Sequence, residues 1–322
     1  MSAIAKPQLS QFALDVAEGL SGPGQKKIPP RYFYDDLGSS LFEAITLLPE
    51  YGLTRADERL LKSHSHQIAA NLEEVSLVAE LGSGSGKKTR HILSGLLQQE
   101  RPLLYQPIDV SGAALESCVR ELADLCPAEP ICSDWLEGLE TIARRRKKHS
   151  ERLLLLFLGS SIGNLDRECI EDFLSALNRR MHPGDFFLLG VDLVKDPDVM
   201  IAAYDDPTGV TAAFNLNILG RMNRELEADF DLRAFTHQAR WNAQSRRIEM
   251  HLLSCRHQRV YIRALDLNID FQAGETIWTE SSHKFTEREL ARYARASGFE
   301  ILDTWIDREW PFAETLWRVA DL

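Results

Sequence analysis

The sequence has no cysteine framework. Its five cysteines, Cys118, Cys126, Cys132, Cys169 and Cys255, form no C-x-x-C pair and no metal-ligand spacing. An odd, scattered set suits reduced, buried thiols in the cytoplasm rather than a disulfide scaffold. Long apolar runs are also missing: the longest, Leu153–Leu158, is far too short to cross a bilayer, and the N-terminus lacks a charged-then-apolar secretion signal. Positive charge is in deficit. The 37 Lys and Arg against 48 Asp and Glu leave a net charge of −11, which argues against nucleic acid as a partner, because phosphate contacts need clustered cations. The one basic cluster, Arg144–His149, reads as a solvated helix end or connector. The nine histidines include His64-x-His66 but no ligand constellation, so no metal is expected. These absences leave a soluble cytoplasmic protein without a membrane or nucleic-acid partner, expected to act as a monomer on a small molecule.

What is present is a regular alternation of strand-like and helix-like segments. A mixed N-terminal stretch gives a helix and a loop. Ser39 or Ser40 is then expected to cap a short helix through Leu48, and a longer helix follows over Thr54–Leu72. Strands are expected at Val75–Leu81, Leu103–Asp109, Pro130–Ser133, Arg152–Leu158 and Phe186–Asp192, with helices between them, which spells a doubly wound α/β sheet. The continuous apolar run at 152–158 marks a strand buried on both faces. Over 196–286 the alternation breaks into helices around 198–204 and 210–227 and strands around 234–242, 247–255 and 258–265. This block reads as an inserted α+β domain for substrate. The sequence Thr286-Glu287-Arg288-Glu289 forms a capping box for a helix ended by Gly298, and strands 299–307 and 315–320 close the chain as an antiparallel pair. The expected division is 1–60 as a helical segment serving the substrate domain, 61–195 with 287–322 as the nucleotide-type domain, and 196–286 as the insert.

The stretch that names a ligand class is Glu80-Leu-Gly-Ser-Gly-Ser-Gly-Lys-Lys-Thr89, where the first strand opens into three alternating glycines. A phosphate-binding loop of the G-x-x-x-x-G-K-[ST] kind does not fit, since only three residues separate Gly82 from Gly86 and Lys88-Thr89 is offset. A dinucleotide turn needs glycine where Lys87 stands. The pattern acid-x-G-x-G-x-G, which Glu80 to Gly86 satisfies, suits S-adenosylmethionine. Asp109 at the end of the second strand can accept two hydrogen bonds from a ribose diol. Asp134 after the third strand suits the adenine amino group, and Trp135 beside it offers an aromatic face or a backbone amide. Either acid alone could be a simple helix cap; both together at a carboxyl edge favour a ligand.

Further segments carry a resemblance. Phe33-Tyr-Asp-Asp-Leu-Gly-Ser-Ser-Leu-Phe42, Leu48-Pro-Glu-Tyr51, Phe157-Leu-Gly-Ser-Ser-Ile-Gly-Asn164, Gly190-Val-Asp-Leu-Val-Lys-Asp196, Gly209-Val-Thr-Ala-Ala-Phe-Asn215 and Thr279-Glu-Ser-Ser-His-Lys-Phe285 resemble the bacterial L-histidine Nα-methyltransferases of ergothioneine biosynthesis. The match runs from about residue 30 to the end. It implies a class I methyltransferase fold that uses S-adenosylmethionine and trimethylates the α-amine of L-histidine to hercynine. It further implies that Gly82, Lys88, Asp109, Asp134 and Trp135 contact the donor. Asn164 and Tyr204 would hold the amine and carboxylate, Glu280 and Ser282 the two imidazole nitrogens, with Tyr51 and Met250 lining that side. Gly52-Leu53 follows Tyr51 where the pattern leads us to expect a second aromatic.

The chemistry of these side chains agrees. Imidazole offers a donor and an acceptor, or two donors when protonated, and a carboxylate and a hydroxyl two residues apart on an extended segment point the same way. An apolar side chain would leave both unpaired, which a binding site penalises heavily. Methyl transfer asks mainly for alignment of the amine with the activated methyl. The amine proton is expected to leave to water by way of Tyr34 or Asn164. Two other readings stand beside this one: a methyltransferase of another amino acid or histidine derivative, and a non-catalytic S-adenosylmethionine-binding regulator. Taken singly, Tyr204 could be a helix-surface tyrosine, Asn164 a turn former, Glu280 a partner for Lys284, and Met250 core filler.

Overall fold

Leu153, Leu154, Leu155 and Leu156 expose no surface at all. Each such burial is worth roughly 2 kcal/mol, so this segment belongs in the middle of a sheet covered on both faces. In the computed structural model, described over residues 9–99, 102–146 and 151–320, it does. The chain divides into two compact units: Pro49–Val199 with Ala243–Arg247 and Ser282–Leu322, and Met1–Leu48 with Met200–Asn242 and Ile248–Ser281.

The first unit is built on a seven-stranded sheet. Its strands are β1 (Val75–Leu81), β2 (Leu104–Asp109), β3 (Ile131–Cys132), β4 (Arg152–Phe157), β5 (Phe186–Asp192), β6 (Phe299–Asp307) and β7 (Phe312–Val319). They lie in the order β6-β7-β5-β4-β1-β2-β3. The strands from β1 to β5 pair in parallel, whereas β7 runs antiparallel to both β5 and β6. The helices Thr89–Leu97, Gly112–Leu122, Trp135–Arg145 and Arg167–Asn178 make the crossovers between successive parallel strands. This is the class I methyltransferase arrangement, including the terminal hairpin. The chain winds outward from β1 to β3 and then returns to the other side of β1. The strand order therefore reverses beside β1, where open α/β sheets bind ligands beyond the strands' carboxyl ends.

The second unit carries a four-stranded sheet in the order Lys26–Lys27, Thr276–His283, Arg247–Ser254, Phe235–Asn242, and a hairpin of Gln258–Ile262 with Leu267–Phe271. Its helices include Gln11–Ser21, Asp36–Thr46 and Val210–Glu225. The strands at 267–271 and 276–283 were not foreseen as strands. Thr276-Ile-Trp-Thr-Glu-Ser-Ser-His buries one apolar side chain, Ile277, beside the polar Thr276, Thr279, Ser281, Ser282 and His283, so a search for alternating apolar residues passes over it.

Three expectations are corrected. Only Cys118 and Cys126 of the five cysteines are buried; Cys132, Cys169 and Cys255 are exposed. The helix after Tyr34 is capped by Asp35, whose carboxylate accepts from Gly38 N at 2.7 Å, and not by Ser39 or Ser40. Those serines lie within the helix, where the Ser40 hydroxyl donates to the Asp36 carbonyl. The basic cluster is not wholly solvated. Arg146 is buried and holds Asp185 through two hydrogen bonds of 2.6 and 2.8 Å, because the carboxylate also ties the start of β4 through Leu153 N. Lys147, Lys148 and His149 lie outside the described residues. The capping box Thr286–Glu289 forms as read, and Gly298 follows its helix with φ +79°.

Candidate functional site

β1 ends in a turn whose three glycines all take left-handed backbone: φ is +68° at Gly82, +52° at Gly84 and +73° at Gly86. L-residues adopt that region at a cost, which explains the glycines. Their surroundings differ. A Cβ on Gly84 would meet nothing within 4 Å, so the backbone there borders open space that a ligand can enter. A Cβ on Gly86 would stand 2.7 Å from Cys118 Sγ, so that glycine lets the turn approach the helix Gly112–Leu122. Glu80 points away from the opening. Its buried carboxylate accepts from the Thr89 and Tyr105 hydroxyls, binding β1 to the next helix and to β2. Burial pushes the Glu80 carboxyl up to about 7, against the pull of those hydrogen bonds.

Asp109 is not a helix cap; Ser111 does that work for the helix Gly112–Leu122. Instead, one Asp109 oxygen accepts from Gly84 N at 3.2 Å and the other from Ser111 N at 2.9 Å. An ionised carboxylate has about four lone-pair sites, so both oxygens keep capacity for a diol. Burial raises the Asp109 carboxyl, opposed by those backbone N–H groups. Asp134 does cap its helix, accepting from Glu137 N at 3.0 Å, while remaining exposed. Trp135 stands edge-on to Phe157 at 4.8 Å, and its Nε1 would lie 3.4 Å from a Cβ on Gly82. Gly82, Gly84, Asp109 and Trp135 are thus brought together at the carboxyl ends of β1 and β2. The open backbone at Gly84 and the spare lone pairs of Asp109 fit an adenosine-bearing ligand.

Lys88 sits one step behind them. Its ammonium meets Asp57, a fully buried carboxylate whose Oδ2 also accepts from Gly159 N at 2.9 Å. Burial disfavours the Lys88 charge, but Asp57 beside it keeps its pKa above the usual lysine value. A Cβ on Gly159 would come within 3.2 Å of the Lys88 nitrogen, so the turn after β4 closes against this lysine. Glu314, on β7, is buried next to Asp57, and among the described residues no group donates to either of its oxygens. Burial, and then the Asp57 carboxylate, push the Glu314 pKa well above the ordinary carboxylate value. Sequence reasoning missed both Asp57 and Glu314. Each stands alone in an otherwise ordinary helix or strand, and no local pattern marks it.

Asn164 closes the short 3-10 turn Ser161–Asn164 that follows β4. Ser160 ahead of it takes φ +59° and accepts from Asp192 N at 2.9 Å, and a Cβ on Gly163 would collide with the His283 carbonyl at 2.9 Å. The turn is therefore pinned from both sides. Ser282, near the end of the strand Thr276–His283, accepts from Lys284 Nζ at 2.9 Å. Lys284 is fully buried against Asp192, also at 2.9 Å. Burial would raise the Asp192 carboxyl, yet Lys284 and Lys195 hold it below the usual range. Tyr51 is buried directly ahead of the helix Gly52–Ala70.

In the second unit, Tyr34 packs edge-on against Phe42 and Phe214 at 5.7 and 6.0 Å. Tyr204 and Met250 are buried, and Glu280 is half-buried on the strand Thr276–His283, two positions before Ser282. Burying Tyr204 sets aside the surface-tyrosine alternative. No three His, Cys, Asp or Glu side chains are grouped as a metal would require among the described residues.

The sequence model of a family described as “histidine-specific methyltransferase, SAM-dependent” matches residues 12–319. The chain belongs to this family. It is 44% identical over 306 residues to a histidine N-alpha-methyltransferase of Mycobacterium tuberculosis, a match covering 94% of this chain and 93% of that protein. A histidine N-alpha-methyltransferase of Mycolicibacterium smegmatis is 42% identical, again with 94% and 93% covered. An ergothioneine biosynthesis protein 1 of Neurospora crassa is 28% identical over 88% of this chain and 32% of that longer protein. The family resemblance read from the sequence is borne out. The protein is a methyltransferase whose donor is S-adenosylmethionine, and the donor-type cradle at Gly82–Gly86 agrees with that membership. No described helix is long and apolar enough to cross a membrane.

Proposed function

We propose that this member of the histidine-specific family transfers methyl groups from S-adenosylmethionine to the α-amine of L-histidine, three in succession, giving hercynine on the way to ergothioneine. The observation that carries the reading is the strand Thr276–His283, where Glu280 and Ser282 stand two positions apart and so share one face. A carboxylate and a hydroxyl in that relation match the two nitrogens of an imidazole. The near-full-length likeness to histidine N-alpha-methyltransferases supports the same acceptor.

In this reading Gly82, Lys88, Asp109, Asp134 and Trp135 hold the donor, which supplies an activated sulfonium methyl. Asn164 and Tyr204 take the amine and carboxylate of histidine, Glu280 and Ser282 its ring nitrogens, with Tyr51 and Met250 alongside. Their work is orientation, presenting the amine lone pair in line with the methyl. The proton leaves the amine to water by way of Tyr34 or Asn164. The five free cysteines suit action in the reducing cytoplasm, as a monomer.

The test offers the twenty amino acids with the donor and weighs the products. Histidine should gain up to three methyl groups; a different amino acid methylated in its place would overturn the acceptor. Glu280→Ala should abolish histidine binding and leave donor binding intact. Equal loss of both would mean that Glu280 does not serve the acceptor.

A further inference from the structure

Asn215 ends the family-like string Gly209–Asn215 but has no role in the reading above. It lies with no exposure on the helix Val210–Glu225, and three polar groups converge on its side chain. Its amide nitrogen donates to His237 Nδ1 at 2.8 Å and to the His251 carbonyl at 3.1 Å. Its amide oxygen accepts from the Thr279 hydroxyl at 2.7 Å, and that hydroxyl also lies 3.0 Å from the Met250 carbonyl. The opposite amide orientation would face oxygen against the His251 carbonyl, so this one is required. His237 Nδ1 must then be an acceptor, which leaves the ring proton on Nε2. That nitrogen meets the Tyr204 carbonyl at 2.7 Å and donates to it. Burial lowers the pKa of His237, consistent with a neutral ring.

The chain of contacts runs Tyr204, His237, Asn215, Thr279, Met250, with the single Thr279 hydroxyl proton shared between Asn215 Oδ1 and the Met250 carbonyl. Both of its ends are residues assigned to the acceptor, and Thr279 directly precedes Glu280. We propose that Asn215, His237 and Thr279 are positioning residues that fix the backbones of Tyr204, Met250 and Glu280 and thereby set the affinity for histidine. The inference rests on the acceptor reading above. Buried polar networks of this kind are rigid because each member has a unique partner, and removing one member leaves its partner unsatisfied. The three residues belong to the second unit and the turn at Gly82–Gly86 to the first, so the proposal predicts an effect on histidine and not on the donor.

Thr279→Val keeps the side-chain shape and deletes the hydroxyl; Thr279→Ser keeps the hydroxyl. His237→Leu deletes the donor to the Tyr204 carbonyl, whereas the amide nitrogen of His237→Gln takes the place of Nε2. The Val and Leu variants should raise KM for histidine about tenfold or more, with a smaller change in kcat. Calorimetric affinity for S-adenosylhomocysteine should stay within about twofold, and the Ser and Gln variants should recover most of the loss. If the Val and Leu variants keep the parental KM, or lose histidine and S-adenosylhomocysteine affinity equally, the proposal is wrong. Should His237→Leu fold poorly, the two Thr279 variants decide alone. If the unaltered protein methylates another amino acid, the acceptor reading fails, and the same comparison run with that amino acid judges the relay.

Discussion

Gly52 lies flat against the indole of Trp310: a Cβ built on Gly52 would stand 2.1 Å from Trp310 Cε3 and 2.6 Å from Cδ2. The ring fills the place beside Tyr51 where the family pattern suggests a second aromatic. It is fixed there by Nε1, which donates to Asp192 at 2.9 Å, and by the Lys195 ammonium 4.8 Å from the ring centre. Gly52→Ala must therefore push a rigid, tethered ring aside. We expect a loss of about 2–3 kcal/mol in denaturant unfolding, with altered tryptophan fluorescence. An alanine variant as stable as the parent would show that the ring moves freely.

Asp57 and Glu314 are neighbouring buried acids with opposite demands. Asp57 answers the Lys88 charge and the Gly159 N–H, so Asp57→Asn leaves a lysine without its carboxylate and should cost about 3 kcal/mol. Donor affinity should fall with it, since Lys88 and the Gly159 turn shift together. Burial and Asp57 disfavour a charge on Glu314, so Glu314→Gln, which puts an uncharged group of the same shape there, should change stability by less than about 1 kcal/mol. Unfolding curves and calorimetric donor binding for the two variants check the contrast.

Lys284 binds Asp192 and the Ser282 hydroxyl from a fully buried position. Lys284→Met leaves Asp192 with Lys195 and Trp310 but without its second cation, and should cost about 3–5 kcal/mol. Lys284→Met combined with Asp192→Asn should be less stable than the single variant, because Lys195 then loses its carboxylate as well. A double variant more stable than the single one would show that Lys195 does not depend on Asp192. Histidine KM should rise in the single variant, since Ser282 loses the donor that orients it.

Glu80 predicts a pH effect. Its folded pKa, about 7, lies above the ordinary 4.5, so the folded state holds its proton more tightly than the unfolded chain does. The resulting stabilisation is complete below about pH 4.5 and is lost as pH rises through 7. Glu80→Gln mimics the protonated acid at every pH. Between pH 5 and 8 the parent should lose about 1–3 kcal/mol relative to this variant, measured by denaturant unfolding. Parallel pH dependence in the two proteins would refute the raised pKa.

Much of the fold could be read because its determinants are local. The apolar run at 152–157 can only be a covered strand, the Thr286–Glu289 box starts its own helix, and the glycine spacing at 82–86 selects its ligand class together with Asp109 and Asp134. The strand at 276–283 escaped because, apart from Ile277, its buried residues are hydroxyls and a histidine. Their burial is tolerable only where partners from distant segments satisfy them, as Asn215 satisfies Thr279.

By itself, then, the sequence determined the sheet order's raw materials, the donor turn and the family pattern, each written within a few adjacent residues. Only tertiary structure decided that Glu80 turns inward while Asp109 faces the opening. It also decided that Asp57 and Glu314 meet behind Lys88, and that Trp310 stands where a second aromatic was expected. Hydrogen bonds and charges act over a few ångströms in space whatever their separation along the chain, and that separation is 257 residues (314 − 57) for Asp57 and Glu314.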